Sequence, residues 1–386
     1  MMNYNFDEIV ARTGSDAIKW ENMPYEDTLP MWIADMDFKA APAILAALQK
    51  RIDHGIFGYT AVPETFYAAI IKWWKRRKNF TIEKEWIVPV SGVIPALSAA
   101  IQTLSEKGDN VVIQSPVYNH FYTTISTLER SIVENRLKYD NGKYTIDFED
   151  LEKQTSDPKV KLLIICNPHN PVGRVWTAEE LKKMGDICLK NKVTVISDEI
   201  HSDLVFKTHQ HIPFASLGEK YSLNSVTLGS PTKSFNLAGV QVGYFFTQNE
   251  EFRKAIQDPF KRMEIELLNV FGITALMAAY EESEQWLDAL KEYLYANYLV
   301  LKSFIELNLP QIKVTPLEGT YLVWLDCTAL GKTSDALSGE ILEKQKLWIN
   351  SGTMYGDKNE GFLRINIAVP KSVLQTGLEK LQKALT

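Results

Sequence analysis

Short apolar segments alternate with helical segments through the middle of this 386-residue chain. The apolar segments that we predict to be strands are residues 111–114, 162–166, 193–197, 226–229 and 242–246. This alternation predicts an α/β protein in which helices, including those predicted at 93–105 and 177–190, cover both faces of a mainly parallel sheet. Because ligands of such sheets bind beyond the carboxyl ends of the strands, polar side chains that directly follow a strand are candidates for a site.

The flanking segments predict a second, smaller unit. Residues 1–45 are rich in turn signals, and the apolar, aromatic run at 30–38 predicts an arm that packs on the rest of the chain. Helices are predicted at 43–54 and 64–78, followed after the sheet by a largely helical stretch at 252–304. In the last part of the chain, strands are predicted at 320–325 and 362–368. Helices are predicted at 335–347 and 371–384.

The length of the chain exceeds one typical core, so we predict two domains. The large domain comprises residues 45–285. The small α+β domain comprises residues 1–44, which form the arm, together with residues 286–386.

Charge and cysteine content exclude several classes of function. The net charge of −6 supplies no positive field for a nucleic acid. The one basic run, residues 72–78, contains two tryptophans at core spacing, and we interpret it as a solvated helix end because cations stabilise that end. Three widely spaced cysteines predict no disulfide framework and suit the reducing cytoplasm.

No segment predicts membrane insertion, export or metal binding. Residues 86–105 carry no charge, but prolines and a glycine divide them into a strand, a turn and a buried helix. The first 14 residues contain charges and no apolar core, so we expect no signal peptide. His209 and His211 lack further ligands at metal-site spacing. We therefore expect a cytoplasmic protein with no metal.

A lysine lies in a tight turn between two predicted strands, in the sequence S-P-T-K-S-F-N-L-A-G at residues 230–239. A lysine amine in a dry pocket can lose its proton and form an imine with an aldehyde, which makes Lys233 the candidate catalytic residue. The hydroxyl groups of Ser230 and Thr232 are candidates for binding a phosphate. Together these features point to pyridoxal 5'-phosphate (PLP), whose ring stores the electrons of a substrate carbanion. Taken alone, the stretch also fits a surface loop with a solvated lysine.

Two further polar residues follow predicted strands. In N-P-H-N-P-V-G at 167–173, two Asn-Pro steps force a non-helical turn, and the Asn170–Pro171 bond is a candidate for the cis isomer. The amide of Asn170 can donate to the phenolic oxygen of PLP. Asp198, in S-D-E-I-H, can face the pyridine nitrogen and keep it protonated. His201 is a secondary candidate at the same ring edge, with a buried structural histidine as the alternative.

A helix N-terminus offers a place for the phosphate. Gly92, in the turn before the predicted helix at 93–105, leaves room for an anion, and the backbone N–H groups of Val93 and Ile94 can donate to it. An ordinary helix start is the alternative.

Two residues are candidates for the ring and the substrate. Tyr118 follows the strand at 111–114 and can stack on the cofactor ring. Arg364 is a charge in an otherwise apolar strand, and it can clamp a substrate carboxylate with two hydrogen bonds. A structural salt bridge is the alternative for Arg364.

The order of these motifs is more specific than any one of them. N-P-x-N-P-x-G, S-D-E-I-H, S-P-T-K-S-F-N and F-L-R-I-N-I-A resemble, in this order and over essentially the whole chain, the fold-type I PLP enzymes of the class I/II aminotransferase family. Within that family, P-M-W-I-A-D-M-D-F, F-G-Y-T and K-S-F-N-L-A-G resemble the MalY/PatB-like C–S lyases, which are cystathionine β-lyases. The resemblance implies a three-layer large domain with a mainly parallel sheet and a smaller α+β C-terminal domain.

The resemblance also implies a role for each candidate. Lys233 carries PLP as an imine, Asp198 pairs with the pyridinium, and Asn170 pairs with the phenolate. Tyr118 stacks on the ring, and Arg364 binds the substrate α-carboxylate.

Two more residues enter only through the resemblance. Ala34 is implied to line the substrate site with Asn170 and Tyr118. Tyr59 is implied to reach the phosphate bound in the neighbouring subunit, so a homodimer follows.

The sequence departs from the general aminotransferase pattern at two positions. Gln241 stands where those enzymes commonly place a phosphate-binding arginine, and His201 stands where they often have a tyrosine. Both agree with the C–S lyase branch. Without the arginine, Tyr59, Ser230, Thr232 and the helix N-terminus must hold more of the phosphate.

The predicted activity is PLP-dependent β-elimination, in which L-cystathionine or a related cysteine S-conjugate is cleaved to a thiol, pyruvate and ammonia. An aminotransferase acting on an L-amino acid is the alternative, because it shares every step up to the carbanion and uses the same residues. A further alternative adds a regulatory role through binding of another protein.

Overall fold

The computed structural model describes residues 4–21 and 23–386. Its strands are β1 Leu29–Pro30, β2 Ile87–Val90, β3 Asn110–Ile113, β4 Ser131–Glu134, β5 Lys138–Asp140, β6 Lys143–Thr145, β7 Val160–Cys166, β8 Thr194–Asp198, β9 Ser225–Gly229, β10 Gly243–Phe246, β11 Lys313–Val314, β12 Leu322–Asp326, β13 Leu347–Trp348, β14 Asn350–Ser351 and β15 Phe362–Asn366. Its α-helices are α1 Ile18–Glu21, α2 Pro42–His54, α3 Glu64–Lys78, α4 Val93–Leu104, α5 Asn119–Thr127, α6 Phe148–Thr155, α7 Ala178–Lys190, α8 Glu219–Ser222, α9 Glu250–Arg262, α10 Val270–Glu282, α11 Glu284–Asn308, α12 Ser334–Gln345 and α13 Lys371–Leu385.

A seven-stranded sheet forms the centre of the molecule, in the order β2-β10-β9-β8-β7-β3-β4. Neighbouring strands from β9 to β4 pair in parallel, and β10 pairs antiparallel with both β2 and β9. The carboxyl ends of β7, β8 and β9 therefore lie at one edge, where the loops that follow them meet. This arrangement confirms the predicted mainly parallel sheet.

Apolar residues on both faces of the strands explain why helices cover the sheet on two sides. Ile113 and Ile164 belong to one buried cluster, which includes side chains of α4 and α9. Their neighbours Val112 and Leu163 belong to a second cluster, which includes side chains of α6 and α7. Because successive strand residues point to opposite faces, the two clusters form the interfaces of a three-layer α/β/α structure.

A second sheet of four antiparallel strands, in the order β11-β12-β15-β14, is built from the last part of the chain. The N-terminal arm lies against it. Strand β1 of the arm pairs in parallel with β13, and Asn366 at the end of β15 donates its amide N–H groups to the carbonyls of Ile33 and Asp35 at 2.7 and 2.6 Å. The arm is thus part of the folded structure, as its composition predicts.

Several predicted element bounds differ from the structure, two of them for reasons that the backbone shows. The helix predicted at 335–347 ends at Gln345, because Lys346 is left-handed (φ 53°) and the chain then pairs with β1. The strand predicted from 320 begins at Leu322, since Thr320 has a φ of 71° and donates its N–H to Leu204. The strand predicted to 368 ends at Asn366.

The basic run at 72–78 is only partly the solvated helix end that the sequence suggests. Trp73 and Trp74 are buried as predicted, but Lys78, the last residue of α3, is also buried. Its Nζ lies 2.8 Å from Asp203 Oδ1 and donates to the Ser202 carbonyl at 2.6 Å.

Within the described part of the chain, no helix combines the length and the apolar character that crossing a membrane requires.

Candidate active site

A cavity of about 400 Å³ opens at the carboxyl ends of the central strands. Ten of the residues singled out in the sequence line it: Ala34, Gly92, Val93, Ile94, Tyr118, Asn170, Asp198, His201, Thr232 and Lys233. They come from the arm, from the start of α4 and from loops after four different strands. The fold therefore brings together residues that are up to 199 positions apart in the sequence.

Lys233 lies in the turn after β9, and its Nζ donates to the carbonyl of Ala34 at 2.7 Å. Burial lowers the pKa of Lys233 to about 8, against the opposing effect of the nearby Asp35 carboxylate. A lysine in this state supplies a neutral amine near neutral pH, which imine formation and proton abstraction both need. The solvated-loop alternative for Lys233 is wrong.

Asp198 is the last residue of β8 and is almost fully buried. Its carboxylate accepts a hydrogen bond from the Ile200 N–H at 3.1 Å. Burial raises the pKa of Asp198 to about 7 because, in this structure, the Lys233 charge only partly compensates for the loss of water. A cationic ring nitrogen placed against Asp198 would return the carboxylate to its ionised form.

Asn170, which lines the cavity, is hydrogen-bonded to Arg364. Arg364 Nη1 donates to Asn170 Oδ1 at 3.1 Å, and Nη2 donates to the Trp32 carbonyl at 2.6 Å. Since the Asn170 oxygen is engaged, its amide nitrogen is the group that can donate to a cofactor. The Asn170–Pro171 bond is cis, as the sequence suggested.

Arg364 has spare binding capacity. Its Nε is buried and has no hydrogen-bond partner among residues 4–21 and 23–386, and its guanidinium lies 4.8 Å from the centroid of the Tyr355 ring. No carboxylate side chain pairs with Arg364 in this part of the chain, so the salt-bridge alternative receives no support. A bound carboxylate would supply the missing acceptor.

His201 and Tyr118 remain neutral in the cavity. Burial lowers the pKa of His201 to about 3, helped by the Lys233 and Arg364 charges, and its Nδ1 has no partner in the described structure. Burial raises the pKa of Tyr118, and the Asp198 charge adds to this effect. Both side chains therefore keep an uncharged ring next to the site of a cofactor.

The opposite end of the cavity suits an anion. It is lined by Gly92 and by the first residues of α4, whose leading backbone N–H groups have no partners within the helix. A Cβ at Gly92 would meet only Pro95, at 3.6 Å, so the space beside Gly92 is open because no side chain fills it. Thr232 and Gln241 line the cavity as well.

Three predicted site residues, Arg364, Ser230 and Tyr59, lie outside the cavity lining. The Ser230 hydroxyl donates to the Val242 carbonyl at 2.7 Å and accepts from the Thr232 N–H at 3.1 Å, so Ser230 supports Thr232 rather than facing the cavity. Tyr59 is fully exposed in this chain.

The sequence did not identify two residues near the lysine. The Tyr321 hydroxyl donates to the Ala34 carbonyl at 3.0 Å, and Asp35 acts electrostatically on Lys233. Tyr321 precedes an ordinary apolar strand and reaches a residue 287 positions away, which no local pattern signals. Cys166, the last residue of β7, is buried and also lines the cavity.

These residues fit PLP. A phosphate would occupy the α4 N-terminus, a pyridine nitrogen would supply the cation that Asp198 lacks, and the Asn170 amide would meet the phenolic oxygen. Lys233 offers the amine for the aldehyde.

Comparison with known proteins gives consistent results over the full length. A family model described as aminotransferase class I and II matches residues 28–381. Cystathionine beta-lyase PatB of Bacillus subtilis (strain 168) is 42% identical over 386 residues, which cover 99% of this chain and 100% of PatB. Protein MalY of Escherichia coli (strain K12) is 34% identical over 388 residues, which cover 99% of each chain. The crystal structure of cystalysin from Treponema denticola, which contains a pyridoxal 5'-phosphate cofactor, superposes with a TM-score of 0.97 at 36% identity and covers 100% of this chain and 99% of its own.

Proposed function

The chain belongs to the aminotransferase class I and II family, and on this premise we propose that it is a PLP-dependent C–S β-lyase. It cleaves L-cystathionine or a related cysteine S-conjugate to a thiol, pyruvate and ammonia. The observation that carries the proposal is that Lys233, Asp198 and Asn170 line one cavity, with Arg364 hydrogen-bonded to Asn170, in a chain 42% identical to a cystathionine beta-lyase. When bound, PLP supplies an aldehyde for the substrate amine and a ring that accepts electrons from the substrate Cα.

The chain's own residues bind and orient the two molecules. With PLP bound, Asp198 would hold a proton on the ring nitrogen by its charge, and the Asn170 amide would donate to the phenolic oxygen. Arg364 turns its free Nε and a terminal N–H towards the substrate α-carboxylate, which fixes the substrate in the cavity. Tyr118, which lines the cavity, would cover the ring face and exclude water.

Lys233 moves the proton. Once its amine is free, it takes the proton from the substrate Cα, a general-base step worth about 10²–10⁴-fold. Its pKa of about 8 suits this task near neutral pH, since the amine is partly neutral before the transfer and can hold the proton afterwards.

An aminotransferase is the second candidate. Lys233 would then return the proton to the cofactor instead of permitting loss of the sulfur group. The residues around the cavity serve both outcomes, and the likeness to PatB over the whole chain favours the lyase.

The proposal includes a homodimer in which Tyr59 reaches the phosphate of the partner subunit. Tyr59 is fully exposed, and the nearby Ile56 and Phe57 are 67% and 54% exposed. Phe57 packs on Phe271, with ring centroids 5.5 Å apart. This contact joins the Tyr59 loop to a second surface that exposes apolar side chains, namely Met263, Ile265 and Leu267. An apolar surface of this kind supports burial against a second copy.

A cytoplasmic location belongs to the same proposal. Cys166, Cys188 and Cys327 are all free and buried, as expected for a protein of a reducing compartment.

The division into a large domain at 45–285 and a small domain formed by 1–44 and 286–386 is likewise proposed. The separate seven-stranded and four-stranded sheets support it.

Pyruvate release from L-cystathionine tests the function. We expect the PLP-loaded protein to release pyruvate over many turnovers with no keto acid present. Lys233→Ala should abolish this release and the yellow colour of the cofactor imine, whereas Lys207→Ala, at an exposed lysine, should change neither. A single turnover that resumes only after a keto acid is added would establish the aminotransferase instead.

A further inference from the structure

One backbone carbonyl of the arm receives two hydrogen bonds from the active site. The Ala34 carbonyl accepts from Lys233 Nζ at 2.7 Å and from the Tyr321 hydroxyl at 3.0 Å. We call the Ala34 carbonyl the docking point of the Lys233 amine, because it is the acceptor that the amine reaches.

Tyr321 can act at this carbonyl only as a donor. The side chain is 1% exposed, and burial raises its pKa, with the Asp35 charge adding to the effect. The phenol therefore stays protonated at any pH at which the protein functions. Its hydroxyl holds the carbonyl in place while the lysine amine binds and leaves.

The residue after Ala34 is fixed by charge. Asp35 Oδ2 accepts from Arg12 at 2.7 Å, and Lys19 Nζ lies 3.5 Å from its Oδ1. The same two cations hold Asp37, at 2.6 Å from Arg12 and 2.8 Å from Lys19, and Trp20 donates to Asp37 at 3.2 Å. This cluster clamps the arm segment on both sides of Met36.

The two carboxylates of the cluster differ in their position relative to the lysine. Burial lowers the pKa of Lys233, and Asp35 is the strongest of the charges that oppose it. The Arg364 charge also lowers the pKa of Lys233, and the Asp198 charge also raises it. Asp37 lies two residues further along the arm, beyond Met36, and its carboxylate pairs with Arg12 and Lys19. The titratable and charged groups that surround the amine from the arm, the sheet loops and the second sheet are Asp35, Asp198, His201, Tyr118, Tyr321 and Arg364.

We propose that Asp35 is a positioning residue for the Lys233 amine. Clamped by Arg12 and Lys19, it sets the orientation of the Ala34 carbonyl, which Tyr321 also holds, and it places a fixed negative charge beside the amine. The consequence for turnover rests on the proposed function. After Lys233 has taken the proton from the substrate Cα it is an ammonium group, and the carbonyl and the Asp35 charge stabilise that form.

The test compares Asp35→Asn with Asp37→Asn in the PLP-loaded protein. Each variant removes one carboxylate from the same cluster, but only Asp35 directly follows Ala34, whose carbonyl accepts the Lys233 amine. The readout is the pH midpoint at which the absorbance of the Lys233–cofactor imine changes, because loss of a neighbouring negative charge lowers the affinity of that nitrogen for its proton. We expect the midpoint to fall by about one pH unit in Asp35→Asn and to stay unchanged in Asp37→Asn. Equal midpoints in Asp35→Asn and the wild type, or equal shifts in both variants, would overturn the proposal.

Arg12→Gln gives a second test with the opposite sign. It removes a cation that neutralises Asp35, so the midpoint should rise. A looser arm gives no reason for the midpoint to rise. A midpoint that falls or stays unchanged in Arg12→Gln would therefore contradict the proposal, even if Asp35→Asn does not fold.

Tyr321→Phe tests the docking point. It removes only the hydroxyl, and we expect about a tenfold lower kcat at nearly unchanged KM, since the substrate contacts remain. A loss confined to KM would contradict the docking role.

Failure of the proposal and failure of the function are distinguishable. A wild-type protein that forms no imine with PLP would refute the proposed function. A wild-type protein that forms the imine, with a midpoint that does not depend on Asp35, would refute only the positioning role.

Discussion

Two buried carboxylates, five positions apart, show how burial can serve function or stability. Asp198 ends β8 and faces the cofactor cavity, and Asp203 lies behind that cavity against α3. Both are at most 5% exposed. Burial raises the pKa of Asp198 to about 7. Burial also acts to raise the pKa of Asp203, but Lys78 and the Trp73 N–H outweigh it, so the pKa of Asp203 is lowered.

The difference lies in the partners that the chain itself provides. Asp203 has an ammonium group at 2.8 Å and a Trp73 N–H at 3.1 Å. Asp198 receives one backbone N–H within the described residues and has no cation in direct contact. A buried carboxylate that the chain leaves without a cation is costly, so its retention points to a partner from outside the chain. Under the proposed function, that partner is the ring nitrogen of PLP.

The largest expected effect comes from Asp198→Asn. Loss of the charge that holds the ring nitrogen protonated should lower kcat/KM for pyruvate release by about 10³-fold, or about 4 kcal/mol. The stability of the cofactor-free protein at pH 8 should not fall, because the variant removes a carboxylate that is costly to ionise. Steady-state kinetics and urea unfolding check the two halves. Strong destabilisation of the cofactor-free protein would mean that Asp198 is structural, as Asp203 is.

Breaking the other pair should have the opposite pattern. Lys78→Met leaves Asp203 buried without its cation, and we expect a loss of about 3–5 kcal/mol in the free energy of unfolding. The remaining folded enzyme should keep its absorbance spectrum and its kcat. Lys75→Met, at an exposed lysine of the same helix, is the matched control and should change stability by less than about 0.5 kcal/mol. A spectrum altered as much as in Asp198→Asn would erase the distinction between the two carboxylates.

A smaller effect concerns the pH dependence of stability in the cofactor-free protein. The folded state raises the pKa of Asp198 from 3.8 to about 7, so its stabilising contribution is complete below about pH 4 and is lost as the pH rises to about 7. Buried His201 has a lowered pKa and contributes in the opposite sense over part of this window. The difference between wild type and Asp198→Asn isolates the carboxylate. That difference should favour the variant increasingly from pH 5 to pH 8, by a few degrees in Tm; a constant difference would argue against a raised pKa.

Much of the cofactor side of the site is predictable because each residue follows a local signal. Asn170, Asp198 and Lys233 come directly at or after short apolar strands, and the parallel sheet then brings the strand ends together. The family prediction is confirmed by the match over residues 28–381. The roles of the individual site residues and the domain bounds stay predictions.

The contacts that the sequence did not predict join distant segments. Lys78 reaches Ser202 across 124 positions, and Tyr321 reaches Ala34 across 287. In both cases the residue type suggests an ordinary local role, a basic helix end or an aromatic residue at a strand. These side chains point inwards because of tertiary packing, so no periodicity or motif in the sequence predicts their contacts.

Infrared titration of the Asp198 carboxylate, isolated by isotope labelling and by difference from Asp198→Asn, tests the central claim most directly. We predict that the carboxyl group titrates near pH 7 in the cofactor-free protein. With PLP bound, the carboxylate should be ionised at every pH down to about 4, because the ring nitrogen supplies the missing cation. A titration that is the same with and without PLP would contradict the assignment of Asp198 as the cofactor's partner.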